Sequence, residues 1–107
     1  MARKDLDGRL LDELYTVIEG RRRADPESSR TAKLFDRGIT KIAQKVGEEA
    51  VETVIEGVAG DRARLAEESA DLLYHLLVLW AASGIKPAKV WAALETRKGT
   101  AWTPSDD

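Results

Sequence analysis

The 107-residue sequence has no cysteine. Disulfides and thiolate-bound metals are therefore excluded, and nothing in the composition points to secretion. It has one histidine, too few for the paired Glu-x-x-His ligands of a di-iron helical bundle. An excess of one charge is also missing. Seventeen basic residues stand against 19 acidic ones, for a formal net charge of −2, which gives no electrostatic ground for a nucleic-acid partner. Long hydrophobic runs are absent too. MARKDLDGRLL at the N-terminus has no signal-peptide core, and the most apolar stretch, Leu72 to Ala82, is broken by His75 and too short to span a bilayer. No strand pattern, internal repeat or second domain is visible. What remains is one domain's worth of chain, 43% hydrophobic and 34% charged, as expected of a globular cytoplasmic protein with no membrane partner.

The apolar residues that are present recur at helical spacing. Leu6, Leu10, Leu11, Leu14, Val17 and Ile18 predict a first helix over about 6–22, with Asp5 as N-cap and Gly8 weakening its start. ADPESSR (24–30) is a loop by its proline and small polar residues. TAKLF (31–35) predicts a short helical turn before a break at Gly38. A second helix over about 39–58 places Ile39, Ile42, Ala43, Val46, Ala50 and Val54 on one side, and Lys41, Lys45, Glu48, Glu49, Glu52 and Glu56 in the opposite sector. Gly57, Gly60 and Asp61 end it and start a third helix, over about 62–83. After Asp71 this helix is apolar on all sides, so its second half is expected to be enclosed by protein. Ser83-Gly84 stops it, and Pro87 opens a further helix to about 97, with Val90, Trp91 and Leu94 as its buried stripe. The architecture is all-α, a four-to-five-helix bundle over residues 1–99, with an irregular tail over 100–107.

Acidic residues stand where that third helix is about to become apolar. Glu49 and Glu52 are spaced i, i+3, as are Glu68 and Asp71, so each pair projects from one face of its helix. A short Gly-rich turn between antiparallel helices would set the pairs opposite each other. Converging carboxylates repel, and a buried unpaired charge is costly. A divalent cation resolves the conflict, and all-oxygen ligation suits Mg²⁺ or Mn²⁺. The same spacing also suits a solvated helix face, since Lys45 and Glu49 make an ordinary i, i+4 pair. Asp71 favours the metal reading, because it directly precedes the apolar half and is expected to be partly buried. His75, four residues on, is either a group that orients Asp71 or a core histidine bonded to a neighbour.

Glu49-x-x-Glu52 followed after fifteen residues by Glu68-x-x-Asp71 resembles the metal motif of the MazG-like all-α nucleoside triphosphate pyrophosphatases. The blocks TAKLF, KIAQKVGEEAVE and EESADLLYHLLVL are similar to those of the phosphoribosyl-ATP pyrophosphatase family of histidine biosynthesis. The similarity runs from about Leu6 to Arg97 and is most specific over 28–56 and 67–80. One departure is Arg30, where an aromatic is expected between Ser29 and Thr31; it bears on local packing rather than chemistry.

The resemblance implies a dimeric bundle that hydrolyses the α–β phosphoanhydride of phosphoribosyl-ATP to phosphoribosyl-AMP and pyrophosphate. With no cyclohydrolase domain alongside, the next reaction is expected to belong to another protein. On this reading Glu49, Glu52, Glu68 and Asp71 hold Mg²⁺, with Mn²⁺ as an alternative, and Glu48 orients or deprotonates the attacking water. Lys41 and Lys45 hold phosphate oxygens, while Lys33, Thr31, Arg37 and Arg97 meet the extra ribose phosphate. Arg97 and Lys98 also fit as ordinary charges at a helix C-terminus. A homodimer is expected because so small a monomer leaves part of Leu72–Ala82 uncovered. Two rivals stay open: a housekeeping enzyme acting on free nucleoside triphosphates, and a non-catalytic helical interaction module.

Overall fold

In the computed structural model, which describes residues 6–99 and Trp102, the N-terminal leucine spacing produces α1, Arg9–Gly20. Leu11, Leu14, Tyr15 and Ile18 follow the i, i+3, i+4, i+7 stripe and turn inward, Tyr15 and Ile18 becoming buried. Leu6, Leu10 and Val17 fall off that stripe and are exposed. The helix starts at Arg9 rather than Leu6. Asp7 stands at its entry, its carboxylate accepting the backbone N–H of Arg9 at 2.9 Å; Asp5 lies outside the described residues.

TAKLF belongs to a full helix, α2, Arg30–Arg37, longer than the single turn expected. Ser29 makes the difference: its hydroxyl accepts the Ala32 N–H at 3.1 Å and caps the first turn. Leu34 and Ala32 are buried. Gly38, at φ +92°, ends α2 and lets α3, Ile39–Ala59, begin at once in a new direction.

α3 is followed by α4, Arg62–Ala82; each has 21 residues, a length of about 31 Å at 1.5 Å per residue. Only Gly60 and Asp61 separate them. Gly60 adopts the left-handed conformation (φ +79°) and its N–H closes on the Glu56 carbonyl, while the Asp61 carboxylate accepts the Arg64 N–H at 3.1 Å. The short turn lets the helices fold back on each other, and with Glu56 meeting Arg64 and Glu49 meeting Glu68 across it, α3 and α4 form an antiparallel hairpin. The last helix, α5, Pro87–Lys98, docks through Trp91. Its ring meets Trp80 edge-on at 6.0 Å, and its indole N–H donates to Asp12 of α1 at 3.2 Å. No strand occurs among the described residues.

The core gathers Tyr15, Ile18, Leu34, Ile42, Leu77, Val78 and Ala81, all at the end of the hairpin away from its turn. Two expectations change as a result. Of the α3 stripe only Ile42 is buried; Ile39 and Val54 are exposed, as are Val51, Ile55 and Val58. The sector carrying Glu49 and Glu56 turns toward α4, the arrangement that sets the acidic pairs opposite each other, and Glu56 pairs with Arg64 across the hairpin at 3.1 Å. In α5, Val90 and Trp91 are half-buried but Leu94 is exposed. In the apolar half of α4, Leu77, Val78 and Ala81 are buried, Leu72, Leu76, Leu79, Trp80 and Ala82 are half-buried, and Leu73 is exposed.

Candidate active site

The Gly60–Asp61 turn sets the register of the hairpin, and the register brings three carboxylates together. One oxygen from each of Glu49, Glu68 and Asp71 lies within 4.8 Å of the others. Two like charges so close repel unless a proton or cation intervenes. Glu68 shows the effect. Its carboxyl is pushed above the ordinary range first by desolvation and then by the charges of Glu49, Asp71 and Glu52, against the opposing pull of Arg64, whose guanidinium lies 3.5 Å away. Glu49 and Glu68 are half-buried. Asp71, expected to be partly buried, is exposed, because it sits on the open rim of the cluster. Glu52 is exposed and stands outside the tight group, although its charge is felt at Glu68. An all-carboxylate donor set with this spacing fits a small hard cation.

Beside the cluster runs a groove of about 340 Å³. Glu49 and Asp71 form one part of its wall, Tyr74 and His75 of α4 continue it, and Lys45 reaches in from α3. From α2 come Arg30, Lys33 and Arg37, spaced i, i+3, i+7 and so on one stripe of the helix. None of these three makes an ion pair or side-chain hydrogen bond among the described residues, whereas Lys45 reaches Glu48 at 3.5 Å. The groove therefore joins a negative end to a row of unneutralised cations. That polarity suits a metal-bound polyphosphate.

Two further contacts hold its walls. Thr31 bonds its hydroxyl to that of Tyr74, so it ties α2 to α4 instead of lining the groove. His75 Nδ1 stands 2.8 Å from the Asp71 carbonyl oxygen. A carbonyl only accepts, so Nδ1 donates in this contact. The bond runs to the backbone of its own helix, one turn back, and leaves the Asp71 carboxylate unengaged by the imidazole.

Other expected residues are not brought in. Glu48 is exposed and bonded within its own helix, to Gln44 at 2.8 Å and Lys45 at 3.5 Å; the Gln44 bond, and then Lys45 and Lys41, hold its carboxyl below the ordinary range. Lys41 does not line the groove. Arg97 bonds to the Ala93 carbonyl of its own helix at 3.1 Å, because α5 docks on α1 and α4 rather than across the groove. Arg30 and Tyr74 were missed in sequence; their signals were the i, i+3, i+7 register with Lys33 and Arg37, and the i+3 spacing from Asp71. A larger, more open depression of about 590 Å³ lies by Arg22, Phe35 and Ile39. It is the poorer site. The Arg22 guanidinium is already committed, 5.0 Å over the Phe35 ring and 2.8 Å from the Ala81 carbonyl.

Comparison with known proteins gives a consistent picture. A family profile described as "Phosphoribosyl-ATP pyrophosphohydrolase" matches residues 11–98. A phosphoribosyl-ATP pyrophosphatase of Azospirillum brasilense is 62% identical over 100 residues, covering 94% of this chain and 90% of the relative. The protein of that name from Paramagnetospirillum magneticum is 61% identical over 94 residues, with 88% and 86% covered. That of Cereibacter sphaeroides is 57% identical over 91 residues, with 85% and 88% covered.

Proposed function

The chain belongs to the phosphoribosyl-ATP pyrophosphohydrolase family, and from that premise we infer that its groove hydrolyses phosphoribosyl-ATP to phosphoribosyl-AMP and pyrophosphate, in the cytoplasm. The observation that carries the reading is the junction of the Glu49, Glu68 and Asp71 cluster with a groove walled by Arg30, Lys33 and Arg37, which make no ion pair among the described residues. An interaction module has no use for such a junction, and the cost of keeping like charges together argues for ligands on both sides of it.

Glu49, Glu68 and Asp71 would hold Mg²⁺, or Mn²⁺ in its place, with Glu52 a further carboxylate whose charge reaches Glu68. When bound, the ion neutralises phosphate charge, polarises the attacked phosphorus and lowers the pKa of a coordinated water. Around it the chain positions the substrate. Lys45 takes phosphate oxygens, and the Thr31–Tyr74 bond fixes the distance between α2 and α4. Lys33 and Arg37 supply charge for the phosphate on the second ribose. Glu48, held ionised beside Lys45, is suited to orienting a water through the ionic network more than to removing its proton.

The catalytic form is a homodimer built on the exposed apolar face of α3. The test is pyrophosphate release from phosphoribosyl-ATP, ATP and deoxynucleoside triphosphates at equal concentration, with Mg²⁺ and with a chelator. Phosphoribosyl-ATP should be cleaved far faster, and only with metal. Equal rates on ATP or a deoxynucleotide would move the assignment to a housekeeping enzyme.

A further inference from the structure

Arg30 stands where the resemblance to the family implies an aromatic. Its side chain is exposed and lines the groove that Glu49 and Asp71 also line. We propose that Arg30 is a triphosphate-binding residue, the member of the α2 cation row that meets the phosphate chain beside the carboxylate cluster; the proposal rests on the phosphoribosyl-ATP reading above.

Position along α2 decides which cation meets which phosphate. Thr31, the neighbour of Arg30, is bonded to Tyr74, and Tyr74 follows Asp71 by one turn of α4. The first turn of α2 therefore abuts the carboxylate-bearing part of α4. Arg37 is seven residues further on, about 10 Å along the helix axis. A substrate with its triphosphate at the carboxylates meets Arg30 first, and Lys33 and Arg37 remain for a phosphate at its other end.

Chemistry agrees with position. Arg22 and Arg64 both spend their guanidinium groups on carbonyls or carboxylates, but Arg30 has no such partner among the described residues. Gathering Arg30, Lys33, Arg37 and Lys45 on one groove is unfavourable until an anion enters. The planar fork of arginine pairs with two phosphate oxygens at once, which lysine does not. Ser29 capping and the burial of Leu34 hold α2 in place, so the fork is presented from a rigid element.

The test uses inorganic tripolyphosphate with Mg²⁺ as probe, binding being followed by titration calorimetry on the full-length protein. Arg30→Ala should weaken it about tenfold or more, Arg30→Lys should restore part of the loss, and Lys33→Ala or Arg37→Ala should leave it within about twofold. With phosphoribosyl-ATP, Arg30→Ala should raise KM by a similar factor and change kcat less. Arg30 is exposed, so an unchanged helical circular dichroism spectrum identifies a folded variant. Binding of tripolyphosphate by Arg30→Ala as tightly as by wild type would overturn the proposal, as would a wild-type protein that does not bind it. Failure of the functional reading would look different: Arg30-dependent binding of tripolyphosphate with no pyrophosphate released from phosphoribosyl-ATP.

Discussion

Glu68 takes up a proton more readily than a free glutamate, because it is desolvated and faces the charges of Glu49, Asp71 and Glu52. Its folded-state pKa lies above the ordinary 4.5, so the folded protein binds that proton more tightly than the unfolded chain. The resulting stability is present below pH 4.5 and is lost as pH rises through the raised value. In metal-free protein the melting temperature of wild type, relative to Glu68→Gln, should therefore fall over that interval. Mg²⁺ should abolish the fall, since a cation favours the ionised form. Thermal melts at a series of pH values check both. Removing a ligand is the second residue-scale prediction. Glu49→Gln and Asp71→Asn should each abolish Mg²⁺-dependent pyrophosphate release, keep the helical spectrum, and raise the metal-free melting temperature by relieving repulsion. Glu52→Gln, further from the cluster, should keep more activity than either. At this scale the sequence made Glu49, Glu68 and Asp71 legible, because i, i+3 spacing is a property of one helix. The surroundings of Arg97 and Glu48 were not legible, for the opposite reason. What they touch depends on where α5 docks and on which neighbour captures a carboxylate first.

Helix ends were readable wherever a residue with a single purpose marked them. Gly38, the Gly60–Asp61 pair and Pro87 all stand at boundaries found in the structure. The length of α2 was less visible, since a helix this short owes its first turn to the Ser29 cap rather than to any apolar period. The inward face of α3 was left between two readings, a solvated acidic face and one turned toward the next helix. Periodicity shows that two faces differ but not which one meets the neighbour, and here the Glu56–Arg64 pair turns the charged face inward. The turn between α3 and α4 carries a prediction of its own. A Cβ at position 60 would touch nothing within 4 Å, so Gly60→Ala adds only the strain of the left-handed conformation, about 1–2 kcal/mol. That should lower the melting temperature by several degrees, and a larger loss of Mg²⁺ affinity than of stability would show that the turn also tunes the register of the carboxylates.

Taken as a molecule, the chain buries one end of its hairpin and leaves the other bare. Val51, Val54, Ile55 and Val58 are between half and 85% exposed, in a stretch where single exposed hydrophobes do not explain so continuous a face. The sequence suggested a partly uncovered surface at Leu72–Ala82; there Leu77, Val78 and Ala81 are buried and most of the rest half-buried, and a barer patch lies on α3. Each such side chain buried against a partner is worth roughly 1.5–3 kcal/mol, so the four residues from each of two copies suffice to hold a dimer. Sedimentation should find a dimer at micromolar concentration, and Val54→Asp or Ile55→Asp should give a monomer. A stable, active wild-type monomer would refute the assembly.

The Gly60–Asp61 turn also has a consequence in time. Contacts between residues close in the chain form early in folding, because little loop entropy opposes them. Glu49, Glu68 and Asp71 meet as soon as the hairpin closes, so their repulsion is encountered on the way up the folding barrier and not only at the end. Neutralising one of them should then act mainly on the refolding rate. In stopped-flow refolding, Glu68→Gln without metal, and wild type with Mg²⁺, should both refold faster than metal-free wild type, while their unfolding rates stay close to its own.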